Sequence, residues 1–186
     1  MRKQPELTAQ TRENLIEAFW RLYCEKPIER VTVKDITESA GYHRSTFYEY
    51  FTDIYEVLNQ LETSLLDRLK ETVLQSLDVA QAGDLTQRLA DLFEAEGSYL
   101  SVLLGDRGDP NFARRIKTTM QPALTGAFGL VGDDAHTPYI YEFALSAIIA
   151  TLTYWYQSGQ NVASNELVSM IREMLRHGAL SIARLE

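Results

Sequence analysis

The segment from Thr32 to Phe51, TVKDITESAGYHRSTFYEYF, restricts the chain more than any other. Gly41 stands between two short helical patterns, where the backbone has to reverse. Glycine enters the left-handed region there without a Cβ clash. Before the turn, Thr32 is a good helix N-cap, and Asp35 brings a carboxylate to the positive helix end. Ile36 and Ala40 are spaced to share one face of that helix. After the turn, Phe47 and Phe51 repeat the spacing and anchor the second helix inward. Arg44, Ser45 and Thr46 then face outward with Tyr48, as donors suited to phosphates and base edges. Two short helices around a tight turn are the layout of a DNA-reading helix-turn-helix.

The combined pattern resembles the signature of the TetR family of transcriptional regulators. It has Thr32 before the first helix, Ile36 and Ala40 as a core pair, Gly41 in the turn, then Thr46, Phe47, Tyr48 and Phe51. The likeness extends back through an amphipathic helix from about Thr8 and covers roughly the first third of the chain. It implies an all-α fold. An N-terminal three-helix helix-turn-helix head would span residues 1–53, and a larger C-terminal helical domain for ligand binding and dimerisation would span 54–186. It further implies a homodimer bound to a double-stranded DNA operator and released by a small-molecule effector. The implied contacts are Thr32 and Lys34 to phosphates, and Arg44 to a phosphate or a guanine edge. Ser45 and Thr46 would touch base edges or backbone, and Tyr48 and Tyr50 phosphates. Three positions depart from the family pattern. His43 stands where a serine cap is usual, Glu49 puts an acid on the reading helix, and Ile54 replaces a lysine.

Composition tests that expectation. The chain has 186 residues, 45% hydrophobic and 10% aromatic, enough for a sizeable core. The net charge of -8 is not that of a generic nucleic-acid binder. Residues 1–53 hold 8 basic and 9 acidic residues, so the head is nearly neutral. The basic footprint of a DNA-binding domain is absent from composition and has to come from arrangement. Arg2, Lys3, Lys34 and Arg44 can face one side, and His43 to Tyr48 contains no acid. A lone cysteine, Cys24, excludes an intrachain disulfide and fits a cytoplasmic chain. The first ten residues lack an apolar h-region, so no signal peptide is expected. The uncharged stretch Phe143–Asn165 is strongly apolar only to Tyr156, short of the about 20 residues that cross a bilayer, so no membrane partner is expected.

The rest of the chain is helical in pattern. A first helix is predicted over Thr8–Glu25, and a long fourth one over Asp53–Leu77. Asp53 and Glu56 cap the latter, and Leu58, Leu61, Leu65, Leu69 and Val73 stripe it. Leu85–Leu104 follows, kinked at Gly97, then a Gly105–Pro110 loop. Asn111–Val131 bends at Pro122, and Gly132–Pro138 is a connector. The final helices are Pro138–Gln157 and Ser164–Arg184. These last two carry more apolar surface than one neighbour covers. That surface fits either core packing within one chain or an intersubunit bundle; the resemblance implies the latter, with Phe143, Ala147, Ile148, Thr151, Leu167, Ile171 and Met174 at a dimer interface. The resemblance also implies an effector cavity in the C-terminal helices. Candidates to line it are Phe93, Tyr99, Phe112, Phe128, Tyr141 and Trp155, with Tyr139 and Phe143, which favours an apolar or aromatic ligand.

Catalysis finds no support. His43, His136 and His177 lie in distant segments, and no nucleophile elbow, phosphate loop or zinc-binding spacing occurs. Asp133, Asp134 and His136 read as solvated or capping groups, so neither a metal nor a cofactor is expected. The alternative function is a coactivator of the same fold that works through protein contacts without reading an operator.

Overall fold

The computed structural model describes residues 5–76, 85–106, 108–128 and 135–178, and all their regular structure is helical. The chain divides into two compact units, Met1–Ser64 and Leu65–Glu186.

The first unit holds α1 (Pro5–Glu25), a 3-10 turn (Ile28–Arg30), α2 (Val33–Ala40), α3 (Arg44–Phe47) and the first part of α4 (Ile54–Ser76). Its core follows from helical spacing. Leu15, Ala18, Phe19 and Tyr23 share one face of α1 and are buried, as are Ile36, Phe47, Phe51 and Val57. Phe47 and Phe51 touch with centroids 5.4 Å apart. Burying each of these large side chains contributes about 1.5–3 kcal/mol. Asp53 begins α4, its Oδ1 accepting from Glu56 N at 2.9 Å. The Glu56 carboxylate reaches back to Thr52, accepting from its amide at 2.6 Å and its hydroxyl at 2.7 Å. Those bonds hold its carboxyl below the ordinary value.

The second unit holds the rest of α4, then α5 (Leu85–Ala95), α6 (Gly97–Leu103), α7 (Phe112–Phe128), α8 (Thr137–Gln157) and α9 (Ser164–His177). In it α5 packs along α9, and α8 packs on both α6 and α7. Polar ties fix these pairs. Ser164 Oγ bonds the Glu94 carboxylate, joining the start of α9 to the end of α5. Lys117 Nζ on α7 reaches Glu142 Oε1 at 2.5 Å and Ser146 Oγ at 2.8 Å on α8. The buried Trp155 indole donates to Val162 O at 2.9 Å and closes the α8–α9 turn. Tyr156 Oη donates to Phe93 O at 3.0 Å, and burial pushes its pKa well above the ordinary phenol value.

Several boundaries differ from the sequence reading. α1 is described from Pro5, three residues ahead of the predicted start at Thr8. The Leu85–Leu104 helix is broken at Glu96 rather than kinked at Gly97. Glu96 takes φ −98 and ψ 8, and its carboxylate binds the Arg68 guanidinium on α4 at 2.6 and 3.0 Å. α7 continues through Pro122, which removes one backbone donor without ending the helix. At Gly108 an added Cβ would stand 1.9 Å from Leu103 O, so only glycine fits that loop. The predicted ends at Val131 and Arg184, and most of the Gly132–Pro138 connector with Asp133 and Asp134, lie outside the described residues.

Candidate DNA-reading surface and apolar cavity

The turn of the head is built by local chemistry. Thr32 has extended backbone, its Oγ1 accepts from Asp35 N at 3.1 Å, and its amide donates to Asp35 Oδ2 at 3.2 Å. This reciprocal box satisfies two amides at the start of α2. Lys26 Nζ from the end of α1 lies 2.7 Å from the same carboxylate. With Lys26 the largest influence, the Asp35 carboxyl is held below its ordinary value. Gly41 closes α2 at φ 75, and Tyr42 N bonds back to Thr37 O at 2.9 Å. That left-handed residue and six-residue bond form the glycine C-cap the sequence predicts. Tyr42 Oη accepts from Asn14 Nδ2 at 2.9 Å, tying the turn to α1.

α3 starts at Arg44, and the His43 side chain makes no cap bond. Regular α-helix covers Arg44–Phe47, and the chain then turns on through Glu49 N to Thr46 O and Phe51 N to Phe47 O. Phe47 and Phe51 point into the core. Thr32, Lys34, Arg44, Ser45 and Tyr48 are exposed, while Thr46 and Tyr50 are half-buried. Arg44 Nη2 donates to Tyr48 Oη at 3.1 Å, one helical turn on. Lys34 stands 3.7 Å from Glu38, an exposed pair worth little. The arrangement gathers hydroxyls and cations around the opening of α3, although the head has no basic excess.

The second unit contains a partly enclosed cavity of about 190 Å³. Its wall is apolar throughout and mainly aliphatic, with residues from α4, α5, α6, α7, α8 and α9. Phe93, Phe112 and Tyr141 are among its lining residues. Tyr99 and Trp155 are not among its lining residues. Tyr139 and Phe143 are exposed at the surface of α8. The side chain of Phe128 lies outside those described. Leucines and isoleucines make most of the wall, where aromatics are expected from the sequence. Ile148 and Ile171, expected at a dimer interface, are half-buried and line the cavity. Leu167 is buried, Ala147 and Thr151 are half-buried, and Met174 is exposed. Among the described residues no group of three or more His, Cys, Asp or Glu converges as metal ligands. No helix among them is long and apolar enough to cross a membrane.

Comparison with known proteins agrees with this organisation. Residues 15–61 match the model for bacterial regulatory proteins of the tetR family. Residues 81–177 match a transcriptional regulator C-terminal region of the same family. No curated protein sequence matches. A TetR transcriptional regulator from Streptococcus agalactiae 2603V superimposes with a TM-score of 0.69 at 23% identity, over 91% of this chain and 96% of that one. A fatty acid degradation regulator, FadR, from Bacillus halodurans does so at 0.65 and 16% identity, over 96% and 98%. The dihydroxyacetone kinase operon activator DhaS gives 0.58 at 18% identity, over 92% and 97%. Helix-turn-helix head, helical C-terminal unit and matches over both lead to one assignment: the chain belongs to the TetR family of bacterial transcriptional regulators.

Proposed function

We propose that this protein is a homodimeric repressor that reads a two-half-site operator and leaves it when an apolar small molecule binds. Thr32, Lys34, Arg44, Ser45, Thr46, Tyr48 and Tyr50 contact the duplex, with Arg44 as the base-reading group. Dimerisation uses the outer face of α8, where Phe143 is 62% exposed and Ala147 and Thr151 follow at four-residue steps. Exposed aromatics beside small residues suit close helix approach between subunits.

The observation that carries ligand response is α4. This one helix starts at the head's Asp53 cap, and its Leu65, Leu66, Leu69 and Val73 line the cavity. A ligand there acts on the head only through a difference in affinity between two states. Tenfold weaker DNA binding requires about 1.4 kcal/mol of coupling, within the usual range. The test is a mobility shift on the DNA upstream of the protein's own gene. A specific complex that Arg44→Ala weakens supports the reading. Failure to shift any such fragment counts against it.

A second reading has a specific observation behind it. DhaS is an operon activator with the same fold, and Glu49 places an acid on the reading helix. Under this reading the protein activates through protein contacts. It predicts wild-type transcriptional output from Arg44→Ala in a reporter strain.

A further inference from the structure

Two residues of the apolar wall, Thr86 and Arg172, carry polar groups that do not face the cavity. Ser164 at the start of α9 bonds Glu94 at the end of α5, and the two helices pack along their lengths. They must therefore run antiparallel. Stepping eight residues back along α5 reaches Thr86, and eight forward along α9 reaches Arg172, each about 12 Å from the Ser164–Glu94 tie. Thr86 and Arg172 thus stand level with each other, and both line the cavity. Because the wall is apolar, Arg172 lays its methylene stem along it and leaves its guanidinium outside at the rim.

Neither polar group has a hydrogen-bond or ion-pair partner among the described residues. Arg172 is exposed and has no hydrogen-bond or ion-pair partner among the described residues. Its neighbours at helical spacing are Val168, Ser169, Leu175 and Arg176, none of them acidic. Thr86 Oγ1 is buried with no hydrogen-bond partner among the described residues. An enclosed hydroxyl without a partner is costly, and rotation about χ1 exchanges it with the methyl that faces the cavity.

We infer that the effector is an amphipathic monoanion: an apolar tail fills the cavity, and a carboxylate sits between Arg172 and Thr86. A planar carboxylate matches the guanidinium fork, and charge-assisted bonds are about twice as strong as neutral ones. This rests on the reading of the cavity as the effector site. The volume suits a modest tail, since about 150 Å³ already takes up a benzene ring.

The test is calorimetric titration of the full chain with octanoate and with 1-octanol, which share a tail and differ in head charge. Octanoate should bind about tenfold more tightly or better. Arg172→Gln should remove that advantage and leave 1-octanol binding unchanged, which also shows that the variant is folded. Thr86→Val should weaken octanoate about threefold. Equal affinity for the two probes, or octanoate binding untouched in Arg172→Gln, would overturn the anionic head while leaving an apolar effector site standing. Binding of neither probe would overturn the cavity reading itself.

Discussion

Lys26 Nζ lies 2.7 Å from the Asp35 carboxylate, so the end of α1 is tied to the N-terminal box of α2. Asp35 has a lowered folded pKa, so its contribution is fully present above the ordinary carboxyl value of 3.8. It is lost as pH falls through the folded value. Asp35→Asn should therefore lower the thermal midpoint at neutral pH, and the gap from wild type should close on acidification. Thr32→Ala removes the other half of the box and should cost about 1 kcal/mol. Circular-dichroism melts over the acid range measure both. A gap between wild type and Asp35→Asn that persists at low pH would show that the ion pair is not its source.

Arg44 and Tyr48 are joined at 3.1 Å on the exposed side of α3. Arg44→Ala should weaken specific DNA binding by about 1–3 kcal/mol if it reads a guanine, with the fold intact. Tyr48→Phe should cost less, because it removes only the hydroxyl that accepts from Arg44. Fluorescence anisotropy on a bound duplex gives both values. Equal affinities for wild type and Arg44→Ala would remove Arg44 from the reading surface.

The helix-turn-helix was legible because each of its parts is a local rule. Thr32 with Asp35 makes a capping box, Gly41 takes φ 75, and Phe47 and Phe51 are one turn apart. The α5–α6 interruption was legible to within a residue, at Gly97, but the pairing of Glu96 with Arg68, 28 residues away, was not. The cavity wall escaped for a related reason. Aliphatic residues at helical spacing look the same whether they fill a core or border a void, and Ile148 and Ile171 do the latter. Arg172 looks like any surface arginine until α5 is laid beside α9.

The Arg68–Glu96 pair gives a stability prediction. Glu96 is only 13% exposed, and Arg68 supplies two bonds to it. Arg68→Ala leaves that carboxylate short of donors and should destabilise the C-terminal unit by about 1–3 kcal/mol. Urea unfolding followed by tryptophan fluorescence checks this, since Trp155 is buried in that unit. An unchanged midpoint would mean that the break at Glu96 does not depend on the pair.

Dimerisation can be separated from ligand binding by the choice of residue. Phe143 is exposed, whereas Ile148 and Ile171 border the cavity. Phe143→Asp should therefore yield a monomer in sedimentation or light scattering while the cavity is retained. A dimer that survives both Phe143→Asp and Ala147→Glu would move the interface off this face of α8.

Selection of bound duplexes from a random DNA pool tests the central claim most directly, because it works without an identified operator. A dimer reading DNA through α3 should enrich an inverted repeat whose half-sites lie about 34–36 Å apart or a multiple of that. The same pool presented to Arg44→Ala should lose the enrichment at one position of each half-site. Recovery of no sequence above the starting pool would contradict the account, whatever the protein proves to bind in its cavity.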